Sequence, residues 1–120
     1  MSFLDAFQGY HQIPLALADQ EKIAFLTLIG NYHYQVMPFG LKNAESTYQR
    51  MVTRMFESQL GKNVEAYIDD MFIKIKQVLE HLNNLGSVFA MLRKHKLRLN
   101  VSKCSFGVSS SKFLGYMITH

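Results

Sequence analysis

Helical and strand-like patterns alternate along this 120-residue chain. A first helix is predicted between Asn43, a residue type that caps helices, and Gly61, a natural stop. Its apolar residues recur three and four positions apart: Tyr48, Met51, Val52, Met55 and Phe56. A second helix is predicted over residues 77–96. Its apolar face comprises Val78, Leu82, Leu85, Phe89 and Leu92.

Strand-like segments lie on either side of the first helix. Residues 23–28 and 32–37 predict a hairpin, and Gly30-Asn31 between them suits a two-residue type II′ turn. Residues 64–75 predict a second hairpin, with the order strand, break, strand. Further short strands are predicted near residues 97–99, 104–108 and 113–118. Helices placed between hairpins indicate an α+β fold, an antiparallel sheet with helices packed on one face.

The length and composition favour one folded domain over residues 1–120. With 48% apolar and 18% charged residues, the chain is too hydrophobic for a disordered protein. No run approaches the roughly 18 apolar residues of a membrane span, and Asp5 and Gln8 interrupt any signal peptide. The single Cys104 excludes an internal disulfide framework and a zinc site built from several cysteines.

Charge is divided unevenly along the chain. Residues 1–70 hold 5 Lys and Arg against 8 Asp and Glu, whereas residues 71–120 hold 8 against 1. No acidic residue follows Glu80. One part of the chain is therefore expected to attract cations and the other polyanions, although a solvated basic face explains the second part equally well.

Carboxylates interrupt two of the apolar segments. Asp69 and Asp70 stand in the middle of the 64–75 hairpin, and Asp5 lies in a predicted buried strand that includes Phe3. Adjacent anions repel each other, and a divalent cation would relieve the repulsion. If the Asp5 strand lies beside the hairpin, three carboxylates converge on one edge of the sheet, as two-metal phosphoryl transfer requires. An ordinary Asp-Asp turn is the alternative.

Five ordered blocks resemble reverse transcriptases, above all those of gypsy-type LTR retrotransposons. They occupy residues 4–14, 36–44, 67–70, 97–104 and 113–116, so that the resemblance covers nearly the whole chain. The third block, Tyr67-Ile68-Asp69-Asp70, has the family's tyrosine-x-aspartate-aspartate motif. The resemblance implies a fragment of a polymerase palm subdomain. Its implied activity is that of an RNA-directed DNA polymerase, which transfers dNTPs onto a primer 3′-OH.

The resemblance also implies two Mg²⁺ ions, with Mn²⁺ as a substitute. Asp5 and Asp69 would be the main ligands, Asp70 the third carboxylate, and the backbone carbonyl of Ala6 a ligand of the nucleotide-side ion. Lys103 matches the lysine that gives a proton to the leaving pyrophosphate. A surface lysine in a basic run is the alternative for Lys103.

Contacts to nucleotide and nucleic acid are implied by the same resemblance. Tyr10 matches the aromatic gate that excludes a ribose 2′-OH, although a core aromatic would look the same in sequence. Phe39, Gly40 and Tyr67 would lie at the incoming nucleotide. The implied primer- and template-binding residues are Lys42, Gln49, Phe113, Leu114, Gly115 and Tyr116. The last four match the opening of the primer grip, or form an apolar final strand.

The implied partners are an RNA or DNA template with its primer, dNTPs and the remainder of a polymerase polyprotein, without a membrane. The chain is expected to lack most of the fingers and all of the thumb, connection and RNase H regions. The resemblance places it inside the cell, in a cytoplasmic particle or the nucleus.

Three positions depart from the family pattern, namely Glu45, Ile75 and Val101. They leave open a second hypothesis, a catalytically inactive retrotransposon relic that binds nucleic acid weakly and without specificity. A third hypothesis is another two-metal enzyme, such as a nucleotide cyclase. The order of the motifs argues against the third.

Overall fold

A computed structural model describes residues 1–74 and 76–119. Its strands are β1 (Ser2–Asp5), β2 (Phe25–Thr27), β3 (Gly30–Tyr32), β4 (Val64–Tyr67), β5 (Asp70–Ile73), β6 (Ser110–Phe113) and β7 (Tyr116–Thr119). Its α-helices are α1 (Leu17–Lys22), α2 (Ala44–Met55) and α3 (Val78–Lys94), and short 3₁₀ helices cover Gly9–Gln12 and Val101–Lys103. The predicted α+β fold is confirmed. Ile75, one of the three departures, lies outside the described residues.

The central sheet has three antiparallel strands in the order β1-β5-β4. β1 pairs with β5 along its full length, and Asp5 lies opposite Asp70. The other edge of β1 is covered by residues 98–105, where Asn100 N donates to Asp5 O at 2.8 Å. β1 is therefore an interior strand, which explains why most of its residues are apolar.

Alternating side chains give the sheet two buried faces. Leu4 and Met71 belong to the main core, which includes buried residues of α2 and α3. Phe3 and Phe72 belong to a second cluster and stack with their ring centroids 5.0 Å apart. The hairpin β6–β7 contributes Phe113 to this second cluster. Helices therefore pack on one face, as predicted, and a hairpin covers the other.

The first predicted helix is confirmed as α2. Asn43 is its N-cap residue, although the Asn43 side chain makes no capping hydrogen bond. Tyr48 and Val52 are fully buried, because their spacing of four residues places them on one face. The helix ends at Met55, several residues before Gly61.

The second helix is confirmed as α3, but its predicted apolar face is wrong at two positions. Val78 and Leu82 are 78% and 61% exposed, whereas His81 is buried. His81 points inward, where its Nε2 shares a hydrogen bond of 2.8 Å with the Ser2 hydroxyl of β1. This contact offsets part of the cost of burying the ring, although Nδ1 is buried without a hydrogen-bond partner among the described residues.

The turn predicted at Gly30-Asn31 is wrong. Thr27 pairs with Gly30, so that Leu28-Ile29 form the turn of the β2–β3 hairpin. The Thr27 hydroxyl stabilises this turn by donating to Gly30 O at 2.8 Å. The second strand ends at Tyr32 rather than at residue 37.

The strands predicted near the end of the chain also need correction. Residues 113–118 are not one strand, because Phe113 ends β6, Leu114 and Gly115 form a turn, and β7 begins at Tyr116. The strands predicted near 97–99 and 104–108 are reduced to isolated bridges at Leu99 and Ser105. None of the helices in the described part of the chain is both long and apolar enough to cross a membrane.

Candidate active site

Three acidic residues lie where β1 ends and the β4–β5 turn begins. The register places Asp5 opposite Asp70, and residues paired in this way in antiparallel strands have Cα atoms about 4.5–5.5 Å apart. Asp69 occupies the turn, where its backbone carbonyl accepts from Ala6 N at 2.9 Å. The expected convergence of β1 and the hairpin is therefore present in the structure.

The turn that carries Asp69 has a strained backbone and is stabilised by a side chain of helix α2. Tyr67 pairs with Asp70, which leaves Ile68 and Asp69 as a two-residue loop. Ile68 has a φ of 50°, an unfavourable conformation for a β-branched residue. Gln49 of α2 fixes this loop, since its Oε1 accepts from Ile68 N at 2.7 Å and its Nε2 donates to the backbone at 3.1 Å. Strain of this kind concentrates at functional sites.

The Asp69 carboxylate reaches inward, under the first 3₁₀ helix. A Cβ placed on Gly9 would collide with Asp69 Oδ1 and come within 2.5 Å of the Tyr48 hydroxyl. Asp69 Oδ1 and the Tyr48 hydroxyl are both buried, and neither has a partner in hydrogen-bond geometry among the described residues. The two groups lie close enough for each to shift the pKa of the other.

Burial and mutual repulsion raise the pKa values of two of the acids. The pKa of Asp69 is raised mainly by burial, with contributions from the charges of Asp5 and Asp70, while the Tyr48 hydroxyl opposes the rise. The pKa of Asp70 is raised by burial and by the Asp5 charge. The positive charge of Lys103 lowers both pKa values. Neighbouring carboxylates disfavour joint ionisation, which is why their charges raise the pKa values of one another.

Burial also raises the pKa of Tyr48 far above its ordinary value, and the adjacent Asp69 charge adds to the rise. The hydroxyl therefore stays protonated at physiological pH. It can act as a hydrogen-bond donor to the carboxylate after a small rearrangement, because the carboxylate is an acceptor.

Lys103 belongs to the segment that lies along the edge of β1 opposite β5. It ends the 3₁₀ helix Val101–Lys103, which follows directly on the pairing of Asn100 with Asp5. Its side chain is exposed, and its charge acts on Asp69 and Asp70. No ion pair joins Lys103 to these acids among the described residues, and its predicted proton transfer stays a prediction.

The donor set fits a divalent cation bound together with a phosphate ligand. Within residues 1–74 and 76–119, no three side chains of His, Cys, Asp or Glu form a cage for an ion held by protein alone. Mg²⁺ does not need such a cage, since it binds through one or two carboxylates, waters and substrate phosphates. The unpartnered Oδ1 of Asp69 and the raised carboxylate pKa values show that this centre has an excess of acceptors.

Aromatic side chains form a wall beside the acids. Tyr10 packs against Phe39 at 5.3 Å and against Tyr48 at 5.5 Å between ring centroids. Its pKa is raised by burial and by the negative charges of Glu45 and Asp69. Phe39 is 64% exposed. A flat ligand therefore has an accessible aromatic surface next to the acidic centre.

The remaining predicted nucleotide-site residues are on the same side. Gly40 follows Phe39 with a φ of 91°, a conformation that favours glycine. Tyr67, half exposed, ends β4 directly before the loop. Glu45 lies in the first turn of α2, close enough to act on Tyr10.

The family model for "Reverse transcriptase (RNA-dependent DNA polymerase)" matches residues 1–118. The chain belongs to the reverse transcriptase family. It is 40% identical over 116 residues to the retrovirus-related Pol polyprotein from transposon opus of Drosophila melanogaster, covering 97% of this chain and 12% of that polyprotein. It is 34% identical over 116 residues to the corresponding polyprotein from transposon gypsy of the same organism, covering 97% and 11%.

Solved reverse transcriptases share the fold. The foamy viral protease-reverse transcriptase in complex with double-stranded DNA superposes with a TM-score of 0.90 at 24% identity, covering 98% of this chain and 22% of that chain. A complex of the foamy viral enzyme with an RNA/DNA hybrid has the same TM-score. The chain spans only about a tenth of the length of the curated relatives that it matches.

The predicted primer- and template-binding residues other than Gln49 fall into two places. Leu114 and Gly115 form the β6–β7 turn with φ of 51° and 81°, between Phe113, packed on the second core cluster, and the exposed Tyr116. Lys42, also exposed, precedes α2. Their contacts to primer and template stay predictions.

Gln49 has a structural task that the sequence did not reveal. Both ends of its amide bind backbone groups around the Asp69 loop. Its predicted template contact is not tested by the structure. Gly9 and Tyr48 were also missed as site residues, because one is an unremarkable glycine and the other reads as part of an apolar helix face.

Proposed function

We infer that this chain performs the metal-dependent step of templated DNA synthesis, the transfer of a nucleotide from a dNTP to a primer 3′-OH. The observation that carries the inference is the register of β1 against β5, which opposes Asp5 and Asp70 next to the Asp69 loop. Membership of the reverse transcriptase family supports the reaction class.

Asp5, Asp69, Asp70 and the Ala6 carbonyl are the groups that would hold two Mg²⁺ or Mn²⁺ ions. Bound ions would neutralise the phosphate charge and acidify the attacking 3′-hydroxyl. The carboxylates repel each other without a cation, which favours binding of divalent ions at this edge of the sheet. The strained Ile68 loop and the Gln49 amide fix the position of Asp69.

The other site residues orient the dNTP and protonate the leaving pyrophosphate. The primer 3′-hydroxyl loses its proton to solvent, and its oxygen forms a bond to the α-phosphorus as the bond from that phosphorus to pyrophosphate breaks. Lys103 gives a proton to the leaving pyrophosphate. Tyr10 and Phe39 enclose the sugar and base of the incoming nucleotide, and the Tyr10 ring excludes a ribose 2′-OH.

Metal binding tests the first half of the proposal. Titration with Mn²⁺, followed by electron paramagnetic resonance, should show binding to the chain and at least a tenfold weaker affinity in Asp69→Asn. Asp19→Asn is the matched control, since Asp19 is an exposed acid of α1 paired with Lys22. Equal affinity in all three proteins would contradict the proposed metal centre.

Primer extension tests the second half. The isolated chain should extend a primer poorly with Mg²⁺, because reacting atoms need firm positioning and a misplacement of about 1 Å can cost roughly a hundredfold. Fusion to the fingers and thumb segments of a related polyprotein should restore synthesis, and Asp69→Asn should abolish it. A folded fusion that binds Mn²⁺ but synthesises nothing would support the inactive relic instead.

A further inference from the structure

Tyr48 brings a hydroxyl group to the acidic centre from helix α2. Its side chain is fully buried, and it belongs to the main hydrophobic core. A phenylalanine at this position would pack in the core in the same way. The hydroxyl is the part that packing does not explain, because a buried polar group without a partner costs free energy.

The Tyr48 hydroxyl and Asp69 Oδ1 share one small buried space. A Cβ placed on Gly9 would collide with both oxygen atoms, so that the two lie side by side beneath the first 3₁₀ helix. Neither atom has a partner in hydrogen-bond geometry among the described residues. Their chemistry is complementary, since a tyrosine hydroxyl can donate a proton and an ionised carboxylate can only accept one. Each atom can therefore satisfy the other.

The tyrosine is fixed, whereas the carboxylate can turn. The Tyr48 ring packs in the main core and contacts the Tyr10 ring edge-on, with the centroids 5.5 Å apart. Asp69 stands in a two-residue loop, and the terminal torsion of an aspartate side chain is soft. A rotation of the Asp69 carboxylate is therefore the movement that completes the hydrogen bond.

Two consecutive residues of α2 then act on the same loop. Gln49 binds its backbone, since it accepts from Ile68 N and donates to Ala66 O. Tyr48 would bind its side chain at the buried oxygen. Because Oδ1 is the oxygen that faces the hydroxyl, Oδ2 is the oxygen of Asp69 that is left for another ligand.

We propose that Tyr48 is a positioning residue, whose hydroxyl donates a hydrogen bond to Asp69 Oδ1 and leaves Oδ2 for a divalent cation. The cation in this statement rests on the proposed function. Groups that hold a metal-binding carboxylate in this way orient it, and their loss typically weakens metal affinity by about 10- to 100-fold. In this role Tyr48 acts through Asp69 and does not touch the substrate.

Urea denaturation in EDTA tests the hydrogen bond without any metal. Tyr48→Phe keeps the ring and removes only the hydroxyl. It should unfold at a lower urea concentration than the parent chain, because Asp69 Oδ1 loses its donor. If the hydroxyl has no partner, its removal leaves the midpoint unchanged or raises it, and the proposal is wrong.

A double-mutant cycle identifies the acceptor. In an Asp69→Ala background no carboxylate remains, and Tyr48→Phe should no longer lower the urea midpoint. An equal loss with and without the Asp69 carboxylate would overturn the hydrogen bond. Circular dichroism checks that all the proteins fold.

Titration with Mn²⁺, followed by electron paramagnetic resonance, tests the positioning role. Tyr48→Phe should bind Mn²⁺ at least tenfold more weakly than the parent chain. Tyr34→Phe is the matched control, since it removes a hydroxyl from a tyrosine that is 45% exposed, and it should bind Mn²⁺ like the parent. Normal Mn²⁺ affinity in Tyr48→Phe would overturn the positioning role.

Failure of this role and failure of the metal centre give different results. If the parent chain binds no Mn²⁺, the metal centre is contradicted, while the denaturation experiments still decide the hydrogen bond. If Mn²⁺ binding depends on Asp69 but not on Tyr48, the metal centre stands and the role of Tyr48 is wrong.

Discussion

At the scale of single residues, Gly9 shows how tightly the side chains of the acidic centre are packed. Its Cα faces Asp69 Oδ1 and the Tyr48 ring in the buried space beneath the first 3₁₀ helix. Any side chain there would have to displace the carboxylate or the tyrosine. The position therefore requires glycine for space, and the requirement comes from the site rather than from the backbone.

Gly9→Ala should destabilise the chain and weaken Mn²⁺ binding together. We expect a loss of about 1–3 kcal/mol in the free energy of unfolding, the usual cost of overpacking, measured by urea denaturation. Gly86→Ala is the control, because Gly86 lies in α3 and a Cβ there would meet no atom within 4 Å. It should stabilise the chain by roughly 0.5–1 kcal/mol. An equally stable Gly9→Ala protein with normal Mn²⁺ affinity would contradict this packing.

At the scale of elements, Gln49 joins α2 to the loop between β4 and β5. Its amide satisfies Ala66 O and Ile68 N, two backbone groups that neighbouring strands leave unpaired. A helix side chain thus supplies the hydrogen-bond partners that the strained loop lacks.

Gln49→Met should cost about 1–3 kcal/mol in the free energy of unfolding, because it leaves partly buried backbone groups without partners. Gln77→Met is the matched control at an exposed position just before α3. Hydrogen exchange of the Ile68 amide should quicken in the first variant only. An unchanged exchange rate of the Ile68 amide in Gln49→Met would mean that the loop keeps its conformation without the Gln49 side chain.

A second element-scale contact links α3, β1 and the following loop. His81 shares a hydrogen bond with the Ser2 hydroxyl, which also accepts from Gly107 N at 3.2 Å. Burial lowers the pKa of His81, and the positive Met1 amino group lowers it further. The backbone of Lys74 has the opposite effect and raises this pKa. The neutral ring is therefore the form that fits the fold.

Protonation of His81 should make the free energy of unfolding depend on pH. Because the folded pKa of His81 lies below its unfolded value of 6.5, the unfolded chain binds more protons in this range. The free energy of unfolding should fall as pH drops below about 6.5, until the folded pKa is passed. His81→Gln should flatten this part of the curve, whereas His33→Gln, at an exposed position, should not. Parallel curves for all three proteins would exclude His81 as the titrating group.

These elements also show what sequence patterns can predict. Asp5, Asp69 and Asp70 were predictable because acids are conspicuous in apolar strands. The inward turn of His81 was not, since it depends on the distant Ser2 hydroxyl. Helix α1 was missed because it has only six residues and no side-chain cap.

At the scale of the whole molecule, the uneven charge should govern binding to nucleic acid. The positive second part of the chain, residues 71–120, carries 8 Lys and Arg against 1 Glu. In the described residues, no helix or strand combines such cations with the geometry of a groove-reading motif. Contacts should therefore be made to phosphates and not to base edges.

Binding of a primed template should weaken linearly in a plot of log affinity against log salt, as counterion release requires. Fluorescence anisotropy at several salt concentrations measures the slope, and two unrelated template sequences should give the same line. Tight, sequence-selective binding that persists at high salt would contradict this expectation.

The interior position of β1 sets an order of folding. The Ser2 side chain finds its partners 79 and 105 positions further along the chain, whereas each hairpin closes between neighbours. Contacts between distant segments form slowly, because their loops must close first. During synthesis, β1 is therefore made before residues 98–105, and its edge is covered only when those residues follow. The strand that carries Asp5 thus waits for a segment roughly a hundred residues further along the chain before its pairing is complete.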